Sequence, residues 1–428
     1  MLALCAALLA GCHAPGNEKT RRSITVLAGL PKASLDPDIT RDFTQNTGIA
    51  VRFIPGSESA SRRLEQELTI LRQQSPAVDV FQIDTIWPAI VAGYLLDLRK
   101  PLAQEFTDES RPLVDNAAVA GRVVAAPYLI EYGVLFYRTD LLRKYGFDHP
   151  PRTWDELEQQ AARIQQGERA RGQRDFWGYV WQGADYEGLT CNALEWQYSQ
   201  GGGNLIQPDR TIDVQNPAAI RAFARAAQWV GTISPPGVTA YLEEDARNIW
   251  GSGHAAFMRN WTSLYALAEQ AKPVRARFGV APLPRAADTD SSVLGGWYLG
   301  VSKYSRRPAD AIAFIRYLSR KELQRRRAME GALPTYPSLY DDPGVRHANT
   351  ELALLADVGN RLIRRPSVLA GVNYDRASRA YAHGVHLILV RQITASQEAA
   401  AMQAELKQIT GFPDHAGVTS NSSEGARR

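Results

Sequence analysis

Two carboxylates and a glycine-flanked indole carry the chemistry this sequence could do. Asp84 closes the apolar run VDVFQI (78–83) and is followed by Trp87 and Pro88. Glu131 is the one acid in VVAAPYLIEYGVLFY (123–137). An isolated carboxylate in an apolar run is costly unless it is paired or faces a cleft. Two such groups could serve as the acid pair of a glycoside hydrolase. They could equally accept hydrogen bonds from the hydroxyls of a bound ligand, and the residue pattern favours this second use. The third feature is LGGWYLGVS (294–302), in which Gly295 and Gly296 directly precede Trp297. Glycine lets backbone approach a ligand closely, and an indole offers a flat face and one N–H donor. The competing reading is a β-bulge ahead of a core Trp.

The elements that must position these groups read as α/β. Strand-like runs at 23–29, 50–54 and 78–83 alternate with helical patterns at 35–47 and 59–73, the signature of a parallel, doubly wound sheet. Ligands of such sheets bind outside the carboxyl ends of strands, where Asp84 stands. The run 123–137 reads as β-rich but broken by Pro127 and Gly133. Thr153 and Glu156 predict a capping box opening a helix to about residue 171. Further helices are expected over 189–203, 217–230, 308–329, 351–360, 378–390 and 396–409. The Arg325-Arg326-Arg327 run reads as a solvated face.

Composition excludes several classes. The 428 residues are too many for one ordinary core, so two domains are expected. A net charge of +4 without a basic block argues against a nucleic-acid surface. Nine Trp and seventeen Tyr fit either large cores or a flat-sided, sugar-like ligand. Cys191 stands alone in the body, so no disulfide framework forms there, and it reads as a small hydrophobe. No phosphate loop or catalytic serine motif occurs, and His383 and His386 lack the company a metal site needs. No cofactor, metal or catalysis is expected. The segment MLALCAALLAGC (1–12) has signal-peptide length and ends in Leu9-Ala10-Gly11-Cys12, which resembles the lipobox of bacterial lipoproteins. That likeness implies lipidation of Cys12.

Several stretches together resemble the extracellular solute-binding proteins of bacterial ABC sugar importers, most closely the trehalose/maltose-binding branch. They are Asp79-Val80-Phe81-x-x-Asp84 with Trp87, Phe136-Tyr137-Arg138, Leu141-Leu142-x-Lys144-Tyr145-Gly146, and Thr153-Trp154-Asp155-Glu156-Leu157. Further along come Glu195-Trp196-x-Tyr198-Ser199-x-Gly201-Gly202, Ala256-Phe257-Met258-x-Asn260-Trp261 and Gly295-Gly296-Trp297. The resemblance implies a two-lobed periplasmic-binding-protein fold (type II) with a ligand crevice between hinge-linked lobes. It implies a signal peptide over 1–12, a tether over 13–22, a first lobe of 23–138 and 292–337, a second of 139–291 and 338–412, and a disordered tail from 413. It also implies a lipid-anchored periplasmic monomer that hands a disaccharide to permease subunits. By the same likeness Arg62 is a polar contact from the first lobe, Asp84 and Glu131 accept hydroxyls, Trp261 and Trp297 are stacking platforms, and Gly295 and Gly296 lie beside the sugar. Trp87 belongs to the Asp84 motif, and Arg365 reaches a hydroxyl with its forked donors.

Overall fold

The computed structural model describes residues 22–29, 37–286, 289, 291–349 and 362–415. Among these the main sheet has nine strands: β1 (Ser23–Ala28), β2 (Ala50–Pro55), β3 (Val80–Asp84), β4 (Ala126–Arg138), β5 (Trp177–Val180), β6 (Ala255–Trp261), β7 (Phe278–Ala281), β8 (Ser292–Val301) and β9 (Leu362–Ile363). Their order is β2-β1-β3-β8-β4-β6-β5, with β9 beside β8 and β7 beside β4. β1 pairs in parallel with both β2 and β3, as a doubly wound sheet requires. β8 enters antiparallel between β3 and β4. The long strands β4 and β8 therefore join the β1–β3 side to the β5–β7 side.

The longer helices cover these strands. They are α1 (Pro37–Thr47), α2 (Ala60–Arg72), α3 (Trp154–Ala170), α4 (Glu187–Ser199), α5 (Pro217–Trp229), α6 (Glu243–Gly251), α7 (Pro308–Leu318), α8 (Lys321–Met329), α9 (Tyr374–Leu389) and α10 (Ala395–Thr410). The Ser59 side chain caps α2 by accepting from the Arg62 amide. The stripe Leu64 and Leu71 then faces the sheet, which carries Arg63 and Glu67 inward with it. One core packs Ile24, Val26 and Phe43 against Phe314 of α7. Another builds Trp181, Trp196 and Trp229 into edge-to-face contacts beneath α4 and α5. Six of the nine Trp residues are core: Trp87, Trp154, Trp181, Trp196, Trp229 and Trp250. The aromatic abundance is thus mostly packing.

Several expectations are corrected. β4 runs unbroken through Pro127 and Gly133. Pro127 is tolerated because the β8 pairing shifts register between Trp297 and Tyr298, a bulge where a missing donor costs little. The helix expected over 308–329 is two, since Arg320 is extended (ψ 135°) and restarts the chain as α8. Arg327 is not solvated: it is buried, 4.0 Å over the Tyr128 ring, and donates to the Tyr128 carbonyl. Thr153 caps α3, but the Glu156 carboxylate accepts from the Arg152 amide rather than closing the box on Thr153. The tail begins in ordered chain, because Ile212 and Pro413 share a backbone hydrogen bond of 2.9 Å. Residues 1–21, the helix expected over 351–360 and the tail from 416 lie outside the described residues.

Candidate functional site

Strand register assembles the site. In β8, Trp297 stands opposite Asp84 of β3, and Gly295 opposite Glu131 of β4. Gly133 of β4 stands opposite Trp261 of β6. Four adjacent strands thus lay Asp84, Trp297, Gly295, Glu131 and Trp261 in a row across the sheet. Above this row lies a cavity of about 150 Å³, walled on one side by α2 and on the other by α4 and α6.

The two indoles are held by carboxylates. Trp297 donates its Nε1–H to Glu131 Oε1 at 2.9 Å, while Ser263 donates to Glu131 Oε2. Trp261 donates to Glu243 Oε1 at 3.3 Å, and the Tyr186 hydroxyl donates to Glu243 Oε2 at 2.6 Å. Trp261 also rests on the Arg259 guanidinium, 4.1 Å from its ring centroid, and Arg259 is fixed by a fully buried fork onto Glu195 at 2.6 and 2.8 Å. Both glycines are sterically required. A Cβ on Gly295 would stand 2.8 Å from the Trp261 ring. Gly296 has φ +135° and would overlap the Leu129 carbonyl.

Arg365 spans the cleft. Its NH2 donates to Asp84 Oδ1 at 2.8 Å and Thr85 Oγ1 at 3.0 Å, and its NH1 to Glu187 Oε1 at 2.9 Å. Glu187 also receives Tyr374 and Ser378. The fork of Arg365 is therefore spent on two carboxylates from opposite walls, leaving its buried Nε without an acceptor. Burial pushes the Glu187 carboxyl up, partly offset by Arg365.

Burial also raises Glu131, to about 7, against the opposing donors Ser263 and Trp297 and with a further push from Asp84 and Glu243. An acid raised on folding keeps a proton that the unfolded chain has lost. Its stabilisation is complete below about pH 4.5 and is lost as pH climbs to about 7. We expect Glu131→Gln to lose less stability than the parent across that window, by up to about 1.4 kcal/mol per pH unit. Thermal melts at pH 5 and pH 7 check this, and parallel behaviour of the two proteins would count against it. Glu109, raised to about 7 by burial, supplies a slope common to both.

Of the residues singled out in the sequence, Asp84, Glu131, Trp261, Gly295, Gly296, Trp297 and Arg365 line the cavity. Arg62 does not: it is exposed, and its neighbour Arg63 lines the wall instead, 4.4 Å over Trp297. One residue is 100° of helical turn, and the Leu64–Leu71 stripe was the signal that could have chosen between them. Trp87 stands behind the wall, buried and edge-on to Trp297 at 6.1 Å. Glu58, Glu187, Glu243, Glu244 and Ser263 were not anticipated, and no local pattern marks them. His383 does have an acid beside it, Asp185 at 2.7 Å, but among the described residues no group of three metal-ligating side chains forms.

A curled sheet shared by two lobes, with a polar, indole-walled cavity between them, defines a protein that encloses a ligand. The chain belongs to the bacterial extracellular solute-binding protein family, whose model matches residues 28–325. It is 38% identical to a probable ABC transporter-binding protein of Deinococcus radiodurans, over 86% of this chain and 89% of that one. In structure it is similar to the maltose-bound T. maritima MalE3 (TM-score 0.84, 34% identity, covering 90% of this chain and 99% of that one). The fold is also that of UgpB from Mycobacterium tuberculosis in complex with glycerophosphocholine (TM-score 0.75, 20% identity, covering 90% and 98%). No helix among the described residues is long and apolar enough to cross a membrane.

Proposed function

We propose that this protein is the substrate-binding component of an ABC transporter. It captures an α-linked disaccharide, trehalose or maltose, and delivers it to permease subunits. The observation that carries this is the pair of indoles, Trp261 and Trp297, each pinned through its N–H to a carboxylate at the cavity wall. Sugars present C–H faces to such rings and hydroxyls to such carboxylates. The likeness to a maltose-bound protein at 34% identity supports the same class. In this reading Asp84 and Glu131 are the polar contacts, and the lobes are the units named above, closing about their hinges. Export and lipid attachment at Cys12 belong to the same proposal, and the mass of the mature N-terminus tests them.

Charge argues against a phosphorylated ligand. Six carboxylates line the cavity (Glu58, Asp84, Glu131, Glu187, Glu243 and Glu244) against two guanidiniums, Arg63 and Arg365. Hydrolysis is also disfavoured, because Asp84 is engaged by Arg365, and Glu131 by Ser263 and Trp297.

Calorimetric titration with trehalose, maltose, sucrose and glucose tests the reading. Saturable binding of one disaccharide without hydrolysis product is expected. Release of glucose would move the case to a hydrolase, and silence with every sugar would refute the ligand class. Trp297→Ala is expected to weaken that binding by roughly 1–3 kcal/mol, or about 5- to 150-fold. An unchanged affinity would remove Trp297 from the site.

A further inference from the structure

Buried polar groups behind the cavity wall lack hydrogen-bond partners. They are the Nε of Arg63, both carboxyl oxygens of Glu67 and the Nε2 of Gln82. Nearly all buried polar atoms of folded proteins are paired, so such a cluster requires a reason. Two of these groups are complementary and share a helix. Arg63 and Glu67 lie one turn apart on α2, the spacing at which a guanidinium and a carboxylate meet. Arg63 is nevertheless turned toward the cavity, over the Trp297 indole, with NH1 3.5 Å from Gln82 Oε1. Arg63 and Trp297 both line the cavity, whose volume of about 150 Å³ is below the roughly 300–1,000 Å³ usual for small-molecule sites. A long, singly anchored side chain is the part of that wall easiest to move.

We propose that Glu67 is a positioning residue for ligand entry: it receives the Arg63 guanidinium when a sugar ring takes the face of Trp297. This rests on the saccharide reading above. The sugar displaces a cation–π contact, and the guanidinium regains a partner one helical turn away. Both orphaned groups are then satisfied together. Burial holds the Glu67 carboxyl well above its ordinary range, with Arg63 pulling it down and Asp84 pushing it up. Closer approach of the guanidinium favours the Glu67 carboxylate, so pairing shifts its proton toward solvent while the guanidinium stays charged. Neighbouring charged groups are otherwise engaged. Glu187 of α4 is held by Arg365, and Arg379 of α9 by Glu65 and Asp375.

The test is calorimetric titration of the full chain and of Glu67→Gln with maltose and trehalose at pH 7. Each is run in two buffers of different ionisation enthalpy. The parent is expected to release more protons per sugar than the variant. The variant is expected to bind about tenfold more weakly while melting no lower. Glu131 titrates in the same range in both proteins and cancels in the difference. Equal proton counts and equal affinities would overturn the role of Glu67 and leave the saccharide reading standing. If the parent binds neither sugar, that reading falls and this proposal with it. Should Glu67→Gln not fold, Arg63→Met carries the test, since without the guanidinium the proton release must fall by the same amount. Retained release overturns the proposal.

Discussion

Arg365→Met is expected to lower stability by about 3–5 kcal/mol at neutral pH, because it leaves two buried carboxylates facing each other without their shared cation. Asp84 comes from the end of β3 and Glu187 from the start of α4, so one guanidinium ties the two walls of the cleft. The sign with pH is specific. Burial already raises Glu187, and removing Arg365 takes away the charge that pulls it back. The variant therefore holds a proton in its folded state that its unfolded state lacks above pH 4.5, and its deficit grows as pH rises. Thermal melts at pH 5 and pH 8 measure this. At the upper pH the midpoint should fall by roughly 3–6 °C, and at the lower by much less. Solution scattering should also report a larger radius, since the tie across the cleft is gone. A midpoint unmoved at pH 8 would sink the idea that Arg365 holds the lobes together.

Gly133→Ala should be nearly as damaging, although it adds a single methyl group. The new Cβ would overlap Glu195 Oε1 and stand 2.6 Å from Arg259 NH2. Those atoms form a fully buried ion pair between α4 and β6, which has nowhere to retreat. Overpacking alone costs about 1–3 kcal/mol, and separating a buried pair costs about 3–5 kcal/mol. We expect a loss in the latter range. Gly93→Ala is the control, because nothing lies within 4 Å of the position its Cβ would take. It should stay within about 0.5 kcal/mol of the parent. Denaturant midpoints separate the two, and a Gly133→Ala protein as stable as Gly93→Ala would show that the pair yields. The same substitution bears on binding, because Arg259 supports the rear face of Trp261.

The buried ion pairs explain why parts of the site escaped the sequence. Arg365 meets Asp84 across 281 positions and Glu187 across 178. No window of sequence contains both partners, and each arginine is indistinguishable from a surface one until its neighbours are known. The same holds for Arg327, whose place in a basic run suggested solvent. Glu243 and Glu244 sit in an acidic helix start that reads as ordinary capping, yet that helix forms the cavity wall.

Local patterns were legible where one period decides the environment. The alternation of β1, α1, β2, α2 and β3 is written in hydrophobic spacing, and so is the place of Asp84 at a strand end. Gly295-Gly296-Trp297 was readable because glycine before an indole has few other uses in a strand. The alternative of a bulge ahead of a core Trp does not hold: the register is regular up to Trp297 and shifts after it, and Trp297 lines the cavity. Local patterning was enough for the α/β class, the family and the identity of Asp84, Glu131, Trp261 and Gly295-Gly296-Trp297 as candidates; strand register then set them in one row. Tertiary structure alone decided which of two adjacent arginines faces the cavity and which acids share Arg365. It also decided that Trp87 stands behind the wall. Those outcomes depend on helix rotation and on contacts between distant segments, where a displacement of a few ångströms reverses burial and no sequence period records it.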